Sequence, residues 1–285
     1  MWVENRFFKR CFELEKDGLR ALIAPEMGMA LVDFSVSGVS LLDRATEDDF
    51  LAYRKGLGPL ILPHFNQSGY LPENIDERVF PHIMVLREHG VKHPFQHGIG
   101  RYIPWRVEKV EEGDDESSIT GIITGEDRFS GIEFKELTGF NFVARVSYRL
   151  SSDGLFVAFD VKGEGPVVTG IHYYYDLINR ETAEVEFTDK SGKRNILKFD
   201  RGFDDIFVPG SRFGDYSTCT LRTERYKLDI VFKIRGLPEE IFESLVVFSP
   251  AGESFVCIEP LSYNPRGIAK KKYNCGVILL RPITL

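Results

Sequence analysis

The sequence predicts an all-β protein, a large antiparallel β-sandwich, on three observations. Apolar and polar residues alternate with period 2 in segment after segment, the pattern of a strand with one buried face. Turn-forming residues separate these segments at hairpin spacing. The 3.6-residue periodicity of amphipathic helices is nearly absent.

Taken in chain order, Val32-Asp33-Phe34-Ser35-Val36-Ser37 places its apolar residues on one face of a strand. One short helix is predicted near Thr46 to Arg54, with acids in its first turn, where the helix dipole favours negative charge. The acidic run Glu111-Glu112-Gly113-Asp114-Asp115-Glu116 reads as a solvated hairpin loop. Phe142, Ala144, Val146, Tyr148 and Leu150 then alternate with Val143, Arg145, Ser147 and Arg149. Ser151-Ser152-Asp153-Gly154 turns the chain, and Leu155, Val157, Phe159 and Val161 alternate back, which makes a β-hairpin. A second hairpin spans Ala183 to Leu197 around Asp189-Lys190-Ser191-Gly192. A further strand carries Tyr226, Leu228, Ile230, Phe232 and Ile234 on one face. With no internal repeat, low-complexity linker or break in composition, residues 1–285 are expected to form one domain of packed sheets.

Composition narrows the function. The hydrophobic fraction of 43% is ample for a large core, and 23 Phe with 11 Tyr supply aromatic material for it or for a sugar-stacking pocket. A net charge of −7 argues against nucleic acid or an anionic membrane as partner, because both recruit basic surfaces. Cys11, Cys219, Cys257 and Cys275 lack the CxxC spacing of a zinc ribbon and offer no disulfide framework. The segment Met1-Trp2-Val3-Glu4-Asn5-Arg6 carries an early acid and no apolar h-region, and no apolar run reaches the roughly 18–20 residues of a membrane span. A reduced, cytoplasmic protein is expected. The sequence does not specify its oligomeric state.

Six histidines occur: His64, His82, His89, His93, His97 and His172. His89, His93 and His97 recur at four-residue spacing, but Gly90 and Pro94 interrupt any helix that would gather them, so no zinc site is expected. His97 alone reads as a hydrogen-bonded loop residue, and His172, in His172-Tyr173-Tyr174-Tyr175-Asp176-Leu177, as a core histidine of an aromatic strand. Glu259 closes the apolar run Phe255-Val256-Cys257-Ile258-Glu259-Pro260; a carboxylate at the end of a buried strand is paired, protonated or functional. Asp204, in Phe203-Asp204-Asp205-Ile206-Phe207, is either a turn former or a ligand group. The run at 270–272 is three lysines, a solvated face or a phosphate contact.

Together these segments resemble the aldose 1-epimerase (galactose mutarotase) superfamily. His97-Gly98-Ile99-Gly100-Arg101 with Trp105 is similar to the family's His-Gly-Phe-Ala-Arg…Trp stretch, and His172 to Leu177 to its His-Pro-Tyr-Phe-Asn-Leu stretch. Glu259 matches the position of the family's catalytic base, and Asp204 that of an aspartate on a sugar hydroxyl. Pro63-His64-Phe65-Asn66-Gln67 resembles Pro-x-x-Asn-Arg, with Gln67 where arginine is common, which removes a planar cationic fork. The segments keep the family's order across most of the chain.

The resemblance implies an isomerase that interconverts the anomers of an aldose or aldose phosphate, with a small-molecule sugar as its partner and no metal or organic cofactor. Glu259 would take the anomeric proton while His172 protonates the ring oxygen; Asn66, His97, Arg101 and Asp204 would hold the sugar, and Trp105 or a tyrosine would stack on it. Two other readings share the fold: a carbohydrate-binding protein without turnover, and an isomerase or lyase of a modified sugar.

Overall fold

The computed structural model describes residues 1–64, 95, 97–129, 131–163, 168–189, 191–209, 217–237, 242–263 and 273–285, and it is built of antiparallel sheets. Nine strands form the larger layer, in the order Arg194–Lys198, Glu184–Thr188, Ser217–Arg222, Tyr226–Leu237, Tyr273–Thr284, Gly154–Gly163, Phe142–Ser151, Glu116–Thr124 and Arg106–Glu112. The predicted hairpins are here. Phe142–Ser151 pairs with Gly154–Gly163 from Phe142 opposite Gly163 to Ser151 opposite Gly154, and Glu184–Thr188 pairs with Arg194–Lys198. The acidic run forms the exposed turn between Arg106–Glu112 and Glu116–Thr124, closed by Gly113 N–H donating to Glu116 O.

Alternation decides which face is buried. Ala144, Val146, Tyr148 and Leu150 are at most 1% exposed, whereas Val143, Arg145, Ser147 and Arg149 between them are only partly covered. Each fully buried large apolar side chain contributes about 1.5–3 kcal/mol, so one such row does more for stability than the exposed ion pairs beyond it.

Two smaller sheets lie against this face. A five-stranded sheet runs Trp2–Asn5, Lys9–Lys16, Leu19–Ala24, Ala30–Val36 and Val39–Ser40. A six-stranded sheet contains Phe203–Pro209, Phe242–Ser249, Phe255–Tyr263, Val168–Ile171 and Leu60–His64 in order, with Tyr173–Asp176 also paired to Phe255–Tyr263. Bridges from Leu31 to Gly58 and from Leu42 to Tyr175 join the two small sheets into one opposing layer. Across the sandwich, the buried Tyr148 hydroxyl donates to Met29 O at 2.7 Å and lies 3.2 Å from the Tyr173 hydroxyl. Both phenols are thereby satisfied within an apolar interior, which spares the cost of burying them unpaired.

The predicted helix is Glu47–Tyr53, with Glu47, Asp48 and Asp49 in its first turn. A second helix, Phe134–Thr138, was not expected; its five residues bury Phe134, Leu137 and Thr138, too few for a periodic pattern to register. Among the described residues no helix is long and apolar enough to cross a membrane.

Candidate active site

The six-stranded sheet has two faces with different tasks. Ile171, Tyr173, Tyr175, Val256 and Ile258 point into the main core. Because strand side chains alternate, His172, Tyr174, Phe255, Cys257 and Glu259 must occupy the other face. Tyr174, Phe255 and Cys257 make a separate apolar cluster there.

Register brings the chemistry together. Gly170 pairs with Leu261, and Tyr173 pairs with Ile258. Counting inward from both pairs sets His172 directly opposite Glu259, and Tyr174 opposite Cys257. The facing strand is interrupted at His172, whose N–H donates to Pro59 O at 3.0 Å instead. The interruption falls beside Pro260, which has no N–H to give to a ladder. Glu259 was expected at the end of its strand. The strand instead continues through Pro260 to Tyr263, so the carboxylate sits mid-sheet and is 6% exposed.

The result is a compact polar cluster on an aromatic bed. His172 Nε2 lies 3.3 Å from Glu259 Oε1, and Nδ1 lies 3.2 Å from Cys257 Sγ. The Tyr174 ring stacks on the imidazole at 5.2 Å and 29°, and the His97 ring tilts over it at 4.6 Å. His97 and Gly98 both adopt positive φ (63° and 102°), which swings the chain into the turn Ile99–Arg101. Gly100 is obligatory there, since a Cβ would meet Leu62 O at 2.0 Å.

Arg101 is 2% exposed, with Nε donating to Leu60 O and Nη1 to Arg54 O, while Nη2 has no partner among the described residues. Burial works against its charge, and Tyr102, Tyr174, Glu259 and Cys257 favour it. Trp105 or a tyrosine was expected to stack on sugar. Trp105 lies in the core, Nε1 donating to Gly100 O at 2.7 Å, and braces the Arg101 turn from behind; the aromatic ring on the cluster is a tyrosine, Tyr174. The Asp204-Asp205 pair lies in strand Phe203–Pro209 at an irregularity of register rather than in a turn, and its side chains are outside the described residues. Asn66 and Gln67 lie outside the described residues, as do His82, His89, His93 and the lysine run at 270–272.

His172, Cys257 and Glu259 bring one donor each within 4.8 Å of the others, a set that would suit zinc by ligand type. Arg101 and Lys55 nevertheless act on His172 as positive charges, a field that opposes a divalent cation. The same field, after burial itself, holds the His172 pKa well below its ordinary 6.5. An unfolded histidine titrates near 6.5, so as pH falls below that value the unfolded chain takes up the proton first. Stability is therefore unaffected by this group above about pH 6.5 and is lost progressively below it. The urea midpoint should fall between about pH 7 and pH 5, and should fall less in His172→Asn.

No protein-family model and no curated protein sequence matches the chain. Solved structures do match its fold. A galactose mutarotase-like protein from Clostridium acetobutylicum superposes with a TM-score of 0.66 over 100% of this chain and 99% of its own, at 16% identity. A protein from Synechocystis sp. PCC 6803 gives 0.65 over 96% of each chain at 18% identity. A galactose mutarotase-like protein from Lactobacillus casei gives 0.63 over 96% of this chain and 100% of its own, at 14% identity.

Proposed function

Starting from a galactose mutarotase-like fold, we propose that this chain interconverts the α and β anomers of an aldose or aldose phosphate by acid–base ring opening and closure. The observation that carries the reading is His172 set opposite Glu259 across one strand pair, imidazole and carboxylate 3.3 Å apart. Glu259 takes the proton of the anomeric hydroxyl, and His172 gives one to the ring oxygen. The C1–O5 bond breaks, the free aldehyde turns about C1–C2, and closure on the other face returns each proton to its owner. His97 and Arg101, with Asn66 and Asp204, hold the hydroxyls.

The acid role requires His172 to be protonated, which Glu259 favours while burial, Arg101 and Lys55 oppose it. The competent fraction therefore grows as pH is lowered from neutral, until Glu259 itself takes up a proton. The kcat/KM profile should peak on the acid side of neutrality, and a profile that climbs through pH 7 to 9 would contradict His172 as the acid.

A second observation narrows the sugar. Arg101 Nη2 and Arg54 Nε are buried donors without a hydrogen-bond partner among the described residues, while Arg101 Nε and Nη1 and Arg54 Nη1 donate to backbone carbonyls. A buried guanidinium edge without a hydrogen-bond partner among the described residues favours a substrate with an anionic group. NMR exchange or polarimetry across aldoses and aldose 6-phosphates tests both statements. Arg101→Lys, which trades a planar fork for a point charge, should raise KM about tenfold with a smaller change in kcat. Binding of sugars with no exchange above the uncatalysed rate would select a carbohydrate-binding protein.

A further inference from the structure

We infer that Cys257 is a positioning residue of the His172–Glu259 pair, its thiol engaging Nδ1 of the imidazole so that Nε2 is committed to the carboxylate and the substrate. This inference deepens the acid–base reading above and rests on it for its catalytic consequence. Cys257 precedes Glu259 by two residues on the same strand, so both side chains share a face, and His172 lies opposite the glutamate. The imidazole is thus held between sulfur and carboxylate, 3.2 Å from Sγ at Nδ1 and 3.3 Å from Oε1 at Nε2. Sγ is also 3.5 Å from Glu259 Oε1. All three groups are buried, Cys257 completely and the other two at 6% exposure, so bulk water does not compete at the ring nitrogens.

Among the described residues the thiol proton has two acceptors within reach, and where it goes decides the ring's tautomer. If S–H donates to Nδ1, then Nε2 carries the ring proton and presents it to Glu259. If S–H donates to the carboxylate, then Nδ1 must carry the ring proton and Nε2 becomes an acceptor. The 3.3 Å approach of Nε2 to Glu259 Oε1 sets this nitrogen against a carboxylate that can only accept, which favours the first arrangement. In the neutral imidazole one nitrogen donates and the other accepts, each fixed by what the other bonds; once His172 is protonated for the acid step, Nδ1–H donates to the sulfur and Nε2 still faces the carboxylate.

A thiol suits this place for two reasons. It donates a proton without adding the second negative charge that an aspartate would bring beside Glu259. It also packs as a small apolar group against Tyr174 and Phe255, its neighbours in the apolar cluster. Alanine would leave Nδ1 without its donor in a buried site, and the ring would be free to tautomerise or turn.

The test uses the full chain labelled with 15N-histidine, and reads the tautomer of His172 from its ring nitrogen shifts. Wild type and Cys257→Ser should both show the proton on Nε2, because the serine hydroxyl still donates. Cys257→Ala should lose that preference while keeping a native spectrum elsewhere. In exchange assays Cys257→Ala should lower kcat by about 10–100-fold with little change in KM, less than the roughly 10⁴-fold loss that a wrong tautomer causes in the serine protease triad. Its pH profile should shift as well, and serine should restore both. An unchanged His172 tautomer in Cys257→Ala overturns the inference whatever the activity. A wild-type protein that turns over no aldose fails the acid–base reading instead, and the ring nitrogen shifts still decide the role of Cys257. Should alanine prove too destabilising, Cys257→Val fills the space without a donor and must give the alanine result.

Discussion

Glu259→Gln should lower anomerisation by about 10²–10⁴-fold, the range that positioned acid–base groups supply, while sugar binding survives. Glutamine keeps the side chain's length and a hydrogen-bonding oxygen to set beside His172 Nε2, and removes the proton affinity together with the negative charge. His172→Asn should fall by a similar factor. The informative measurement is the double variant. Two residues that pass protons to one substrate act as a unit, so removing both should cost barely more than removing either. Losses that multiply instead would show that His172 and Glu259 serve separate steps. Isothermal titration with the same aldose keeps the conclusion honest, since a variant that neither binds nor turns over reports only damage.

Gly100→Ala should be the most destabilising single-methyl change near the site. The added Cβ would sit 2.0 Å from Leu62 O, a backbone atom in strand Leu60–His64 that cannot step aside as a side chain would. Overpacking of this kind costs about 1–3 kcal/mol, and a clash with strand backbone belongs at or above the top of that range. At roughly 2–4 °C per kcal/mol, the melting temperature should drop clearly. Activity should fall further than stability explains. Leu60 O, two residues from the clash, accepts from Arg101 Nε, and a displacement of about 1 Å in a positioning group can cost about 10²-fold. Gly192→Ala is the control: φ is +81° with nothing near its Cβ, so it should show backbone strain of about 1 kcal/mol and full activity.

The fold was legible where a single pattern decided it. The inward positions from Phe142 to Leu150 and from Leu155 to Val161 are all apolar because one face of the nine-stranded sheet is buried, and the hairpin follows from that pattern and the turn between. Phe134–Thr138 was illegible because five residues make barely more than one helical turn. In the site, His172 and Glu259 were nameable from sequence, but their meeting was not. It depends on the register of two strands more than eighty residues apart, which no local pattern encodes. Cys257 was passed over as one more apolar residue in a run. The signal that could have found it is parity: counted in twos from Glu259, it must share the glutamate's face. Between Trp105 and a tyrosine the sequence offered no choice, since a large aromatic near a candidate site fits core and ligand pocket equally well until burial separates them.

The alternation at Ile171 to Tyr175 also governs how this protein can drift over generations. Odd-numbered positions here serve the interior, where most apolar side chains of suitable volume will do; His172 and Tyr174 face the reactive side. Substitutions can therefore accumulate at the odd positions at little cost. A single inserted or deleted residue cannot, because it would turn tyrosines outward and bury the histidine in hydrocarbon. The stretch is therefore more sensitive to its spacing than to the identity of its odd-numbered residues.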